Sequence, residues 1–248
     1  VNKIIEIENI SKTFETTKVL NDISFHIEQG SFFAIMGPSG SGKSTLLYNI
    51  SGMDRPDTGR VTFNRKELTN LDDEKLSQIR LTQMGFIFQH SYLLKNLSIR
   101  DNIILPGIKS RKQSRKQVND YADILFGKTG IKSVADHDIK EVSGGQLQRA
   151  AICRALINKP DILFGDEPTG ALNSSASRDV MDIIGNVNRE GTTIIIVTHD
   201  AKVAARADKV IFLIDGSIHN ELTLGKYEEV MKSNREKKLL GWLEKQGF

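Results

Sequence analysis

The chain has 248 residues, of which 39% are hydrophobic and 26% charged, with a net charge of +3. That supplies enough apolar material for one large domain or two small ones, and no excess charge that requires nucleic acid as a partner. The one cysteine, Cys153, excludes an internal disulfide. Flanked by Ala151, Ile152, Ala155 and Leu156, it reads as a small buried hydrophobe in a reducing compartment. No apolar run reaches the roughly 18 residues that a membrane span needs. The stretch from Val1 to Glu6 lacks a signal-peptide core. The expectation is a soluble, cytoplasmic chain, with any membrane span supplied by another subunit.

In chain order, Ile4–Ile10 alternates around acids and predicts a strand, and Val19–Ile27 predicts a second, turning at Gln29-Gly30. Together they form an antiparallel piece beside the core. Between them lies Phe14, an aromatic that could stack on a purine; a core or turn aromatic is the simpler alternative. Phe32–Met36 is an apolar strand. It runs into Gly37-Pro38-Ser39-Gly40-Ser41-Gly42-Lys43-Ser44-Thr45 and then the helix-compatible Leu46–Ile50. Strand, glycine-rich turn and helix with Lys-Ser at the helix start match the phosphate-binding loop G-x-x-x-x-G-K-[ST] in sequence and in context. Glycines let successive N–H groups point into one concavity, and the helix N-terminus adds positive potential. Lys43 would reach the outer phosphates and the Ser44 hydroxyl would ligate Mg²⁺.

Arg60–Phe63 is a short strand, Asp72–Arg80 a charged helix, and Met84–Phe88 a strand that ends at Gln89. From His90 to about Pro160 strand-like runs disappear. Asn96–Asn102 predicts a short capped helix, and Ser110–Phe126 a longer one with Val118, Tyr121, Ala122, Leu125 and Phe126 on one side. Lys109, Arg111, Lys112, Arg115 and Lys116 form a basic cluster. It could meet lipid head groups or an acidic partner; a solvated helix face is the simpler reading. Ser143 is a good N-cap for the helix through Leu147–Asn158, and Gly144-Gly145 leave its first N–H groups unshielded. This second helix N-terminus suits phosphate but carries no lysine of its own.

Ile162–Asp166 delivers two adjacent carboxylates, Asp166 and Glu167, to a strand end closed by Pro168-Thr169-Gly170. Asp166 can hold Mg²⁺ and Glu167 can polarise an attacking water. Ser174–Arg189 predicts a helix. Thr192–Val197 predicts a fully buried strand ending at Thr198-His199-Asp200, where α/β sites are built. Val210–Ile214 and Gly216–His219 predict a closing hairpin. The tail from Gly225 is helical and charged, with Leu239, Leu240, Trp242 and Leu243 as an apolar cluster that docks on the body or on a second subunit. The organisation is one α/β core (1–89 and 160–225), a helical insertion (90–159) and a C-terminal helical tail (226–248).

With these motifs in order, the chain resembles the ATP-binding cassette (ABC) ATPases over essentially its whole length. The resemblance rests on residues 37–45, Gln89, Val142-Ser143-Gly144-Gly145-Gln146, Ile162–Glu167, Gly170-Ala171-Leu172-Asn173 and His199. It implies a RecA-like phosphate-loop NTPase core with an antiparallel β subdomain and a helical signature-motif subdomain. It also implies that Phe14 stacks on adenine, which reverses the preference stated above. ATP would be bound by Phe14, by Gly37, Pro38, Ser39, Gly40, Ser41, Gly42, Lys43, Ser44 and Thr45, and by Gln89; Mg²⁺ would be held by Ser44, Gln89 and Asp166. Of the catalytic residues, Glu167 would be the general base, Lys43 would reach the outer phosphates, and His199 would be the switch residue that contacts the γ-phosphate. Ser143, Gly144, Gly145 and Gln146 would close in trans over ATP held by a second copy, in a homodimer. A transmembrane permease would contact the chain near Gln89 and residues 90–106, placing it on the inner face of the cell membrane; no nucleic acid is implied.

Gly85-Phe86-Ile87-Phe88-Gln89, Leu93-Leu94, Asn102–Pro106 and Gly165–Leu172 are similar to the MacB/LolD-type ATPases. The Gly-Ala-Leu-Asn form with Ser174, together with the Leu93-Leu94 segment, leans to the bacitracin- and lantibiotic-resistance (Bce-type) branch of Gram-positive bacteria, so antimicrobial-peptide export, detoxification or sensing is the expected role. A lipoprotein-release or cell-division ATPase is the alternative. Two positions depart from the family pattern. Val142 replaces the usual leucine. Asn173 stands where the family usually has aspartate, a residue that couples the two sites of the dimer. A soluble ABC ATPase of DNA or ribosomes fits poorly, since it would be expected to carry long coiled-coil insertions, zinc cysteines or two cassettes. A non-catalytic switch conflicts with intact Glu167 and His199.

Overall fold

In chain order the elements are β1 (Lys3–Phe14), β2 (Thr17–Glu28), β3 (Phe32–Met36), α1 (Lys43–Ile50), β4 (Thr58–Phe63), β5 (Lys66–Glu67), α2 (Asp73–Gln83), β6 (Met84–Phe88), α3 (Ile99–Ser110), α4 (Arg115–Thr129), α5 (Gly144–Leu156), β7 (Ile162–Asp166), α6 (Ser174–Arg189), β8 (Thr193–Val197), α7 (Ala201–Ala204), β9 (Lys209–Ile214), β10 (Ser217–Thr223) and α8 (Lys232–Glu244). This computed structural model describes residues 2–247. They fall into two packed units, 2–76 with 191–247, and Ser77–Glu190.

The first unit holds two sheets. One is antiparallel, in the order β2-β1-β4-β5. Its β1 runs past the expected end at Ile10 because register shifts after Ile7 and Ile10 let the ladder with β2 continue to Phe14 opposite Thr17. The other places β3 between β8 and β9, parallel to both, with β10 antiparallel to β9. All five residues of β3 and of β8 are buried, as expected for parallel strands covered on both faces.

The tail docks on this same unit. Leu239 and Leu243 of α8 are buried, Trp242 meets Phe212 edge-on, and Leu240 is exposed. Arg235 donates from Nε to the carbonyl of Ala205 (2.8 Å), from Nη2 to Ala207 (2.7 Å), and from Nη1 to Leu224, Gly225 and Lys226. Burial lowers the pKa of its guanidinium. Five carbonyls and one cation thus fasten the tail.

The second unit pairs β6 with β7 in parallel, Phe86 stacking on Phe164 at 5.3 Å, and packs them with α3, α4, α5 and α6. Packing therefore groups β6, β7 and α6 with the helical residues, whereas the boundaries at 90 and 159 follow composition. Two helix expectations are corrected. The short helix at Asn96–Asn102 starts later and runs further, from the Ser98 cap to Ser110, with Pro106 inside it. Ser110–Phe126 is not one helix. Arg111 takes a left-handed conformation (φ 54°), and Ser114 restarts the chain with a capping box to Gln117.

Candidate functional site

Within the first unit, β3 ends at Met36 and Gly37 turns the chain at φ 150°. A Cβ at Gly37 would lie 2.1 Å from the Leu213 carbonyl oxygen, so only glycine fits this bend. The loop closes onto α1, whose N-cap is Gly42 with no side-chain cap and no acid in the first turn. No side-chain cap and no carboxylate therefore competes with an anion at this helix start. Lys43 Nζ donates to the carbonyls of Gly37 (2.9 Å) and Pro38 (2.7 Å), which holds the ammonium over the loop. Ser41 Oγ is buried and has no hydrogen-bond partner. A lysine held over a glycine-rich turn at a helix N-terminus, beside the orphaned Ser41 hydroxyl, fits a polyphosphate.

Phe14 stands at the tip of the β1–β2 hairpin and is 48% exposed, so of the simpler alternatives the core position is excluded and the turn position is the one observed. Lys12 lies under the ring, its Nζ 5.2 Å from the centroid. That ammonium is itself held by Asp54 (3.1 Å) and by the Arg55 carbonyl (2.6 Å). Asn49 of α1 reaches Asp54 as well, so the aromatic and the phosphate loop share one anchor. His199 follows β8 and is exposed. Thr198 N–H donates to Ile35 O (3.1 Å), which fixes the His199 turn to the end of β3. Asp200 then caps α7.

Within the second unit, the parallel register pairs Phe88 with Asp166, so Gln89 and Glu167 both leave the same end of the strand pair. Glu167 is a non-glycine residue at φ 48°, held left-handed where the strand turns; such strain is concentrated at functional positions. Gly170 closes this turn through its N–H to Glu167 O (3.0 Å). A Cβ on Gly170 would press on the Gln89 amide at 3.1 Å. Ser143 caps α5 as expected, in a capping box with Gln146: Ser143 N–H donates to Gln146 Oε1 at 2.8 Å. Ser143 and Gly144 are exposed, and a Cβ on Gly144 would meet nothing within 4 Å. Asn173 is the N-cap of α6, its Oδ1 accepting from Ala176 N–H at 2.9 Å.

Sequence reasoning missed the residues that hold these pieces still. Gln148, 2% exposed on α5, donates to Phe88 O (2.8 Å) and Pro168 O (2.7 Å), clamping both strand ends to the helix that Ser143 opens. Arg154, one helix face along, donates to Ser91 O and Tyr92 O and so fixes the segment after Gln89; burial lowers its pKa. Asn102 fastens the next stretch through Leu94, Leu97 and Ser98. The signal was present as polar residues at buried helical positions, but their partners are set by tertiary register. Among the described residues, no group of three or more His, Cys, Asp or Glu side chains could cage a metal. No described helix is long and apolar enough to cross a membrane.

The family model "ABC transporter" matches residues 20–170. The ATP-binding protein YxdL of Bacillus subtilis is 42% identical over 92% of this chain and 90% of its own. The lipoprotein-releasing system ATP-binding protein LolD of Leptospira interrogans is 38% identical over 94% of this chain and 97% of its own. The macrolide export protein MacB of Chlorobaculum tepidum is 42% identical over 87% of this chain, which spans 33% of that longer protein. A solved dimeric cassette, MJ0796, in a post-hydrolysis state bound to ADP and Pi, superposes with a TM-score of 0.83 at 35% identity, over 90% of this chain and 100% of that one. The chain belongs to the ABC transporter family, as an ATP-hydrolysing, Mg²⁺-dependent ATP-binding cassette of the MacB/LolD type.

Proposed function

We propose that two copies of this chain bind two MgATP, close head to tail, and drive a membrane permease. The observation that carries this reading is the division of labour between two uncapped or glycine-opened helix starts. One, at Gly42-Lys43, has its own lysine. The other, opened by the exposed Ser143 and Gly144, has none, as suits a lid for phosphate held elsewhere.

In this mechanism residues 37–45 bind the phosphates, Lys43 balances charge on the terminal phosphoryl group, and Phe14 stacks on adenine. Ser44, Gln89 and Asp166 would hold Mg²⁺, whose charge stabilises the phosphoryl oxygens when it is bound. Glu167 accepts a proton from water. The water oxygen bonds to the γ-phosphorus while the bond to the bridging oxygen breaks, and ADP and phosphate leave. His199 orients the γ-phosphate. The exposed Tyr92 (65%), in the segment that Arg154 fixes, and Leu94 (51%), just beyond it, support a permease contact adjoining Gln89.

For cargo, the Gly-Ala-Leu-Asn form at 170–173 with Ser174 supports antimicrobial-peptide export, detoxification or sensing. The test is a tagged chain purified with its permease and reconstituted in vesicles. ATP hydrolysis stimulated by a bacitracin- or lantibiotic-type peptide supports the peptide reading. Stimulation by a lipoprotein alone selects the lipoprotein-release alternative.

A further inference from the structure

The corner between α3 and α4 carries Lys109, Arg111, Lys112, Arg115 and Lys116, with no acid anywhere between Asp101 and Asp120. All five are exposed. None of them makes an ion pair among the described residues. Arg100, on the same helix α3, is by contrast held by Asp123 and Asp136.

Helix stability does not account for the cluster. Lys109 sits in the last turn of α3, where a cation is favourable, but Arg115 and Lys116 occupy the first turn of α4, which contains no acid. There the helix dipole opposes positive charge. The corner is also rigid. Arg111 caps α3 left-handed, and Ser110 Oγ donates to Gly107 O. The Ser114–Gln117 box fixes the start of α4. Ile108, 38% exposed one residue before Lys109, adds an apolar contact.

We propose that this corner binds the head groups of an anionic phospholipid bilayer. A capped turn that presents five exposed cations without ion pairs on long side chains, with the exposed Ile108 beside them, matches a diffuse anionic surface. An acidic peptide would need directional partners that the corner does not arrange. The contact is independent of nucleotide, so it stands apart from the reading of the ATP site.

The experiment is sedimentation of the full chain with vesicles of phosphatidylcholine alone, or with phosphatidylglycerol as about a third of the lipid. The expected result is binding to the anionic vesicles only, weakened by salt. Taking about a fivefold effect for each basic residue near such a surface, K109A/R111A/K112A loses roughly a hundredfold in partitioning. R115A/K116A, on the other helix, loses roughly twenty-five-fold on the same basis and covers the case in which the triple variant misfolds. The control K66A/K132A/K237A removes three exposed lysines elsewhere and loses much less. Equal loss in the control, or no preference for anionic vesicles, overturns the proposal. So does absent vesicle binding combined with charge-dependent capture on polyglutamate, which would assign the corner to an acidic protein. Unchanged ATP hydrolysis in the two corner variants keeps this test separate from the catalytic reading.

Discussion

Replacing Gly37 with alanine tests whether the phosphate loop has the shape described. The added Cβ would lie 2.1 Å from Leu213 O and 2.8 Å from Ser41 Oγ. Contacts under 3.0 Å do not persist, so the Leu213 carbonyl or the loop must move by about an ångström. Leu213 belongs to β9, which is bonded on both sides, to β3 and to β10. The carbonyl cannot swing freely, and the strain goes into the loop. Overpacking of this kind costs about 1–3 kcal/mol, and holding alanine at φ 150° adds about 1–3 kcal/mol. The sum is about 2–6 kcal/mol, or a fall of very roughly 5–20 °C in Tm for a chain of this size. Gly40 is the internal control: its φ is 79°, but a Cβ there meets nothing within 4 Å. Gly40→Ala should therefore cost only the backbone term, about 1–2 kcal/mol. The assay is urea and thermal unfolding of both variants beside wild type, with binding of a fluorescent ATP analogue measured where each is folded. Equal destabilisation by the two substitutions would refute the close approach of Gly37 to β9.

Asn173→Ala should cost about 1 kcal/mol in urea unfolding through loss of the α6 cap, whereas Asn173→Asp should hold or slightly raise stability, because aspartate caps as well and suits the helix N-terminus. If Asn173→Asp leaves ATPase rate and cooperativity unchanged, the absent charge has no part in coupling two sites. Gln148→Leu should leave the fold intact yet lower ATP turnover roughly tenfold or more, since the strand ends bearing Gln89 and Glu167 lose their common clamp; wild-type turnover would show that the clamp is dispensable. Burial pushes the Cys153 thiol from 9.0 up to about 12. The folded chain should thus resist thiol reagents at pH 8 and react only when unfolded. Because the folded thiol keeps its proton while the unfolded one ionises, stability from this group is full below pH 9 and is lost between pH 9 and 12. Over that range the stability difference between wild type and Cys153→Ala should narrow, and a constant difference would contradict the shift.

The parts of the site that the sequence made legible are contiguous ones. Residues 37–45 carry their strand, turn and helix start in one stretch, and Ser143-Gly144-Gly145-Gln146 carries its own cap. Asp166 and Glu167 announce themselves as acids after an apolar strand. What stayed hidden depends on pairs remote in sequence. Gln148 acts through Phe88 and Pro168, Lys12 through Asp54, and Arg235 through carbonyls from Ala205 to Lys226. The α3–α4 break escaped notice because Ser110–Ser114 contains neither glycine nor proline. A left-handed arginine and a capping box, rather than a breaker residue, end one helix and begin the next. The extension of β1 to Phe14 was likewise invisible, since bulges interrupt the alternation that marks a strand.

The central claim is that ATP closes two copies of this chain and that Glu167 is needed to reopen them. Its most direct test is light scattering of purified Glu167→Gln with MgATP, beside wild type and an ADP control. The account predicts no ATP turnover and a stable ATP-dependent dimer that ADP does not support. Wild-type turnover in the variant, or a monomer at saturating ATP, would contradict it.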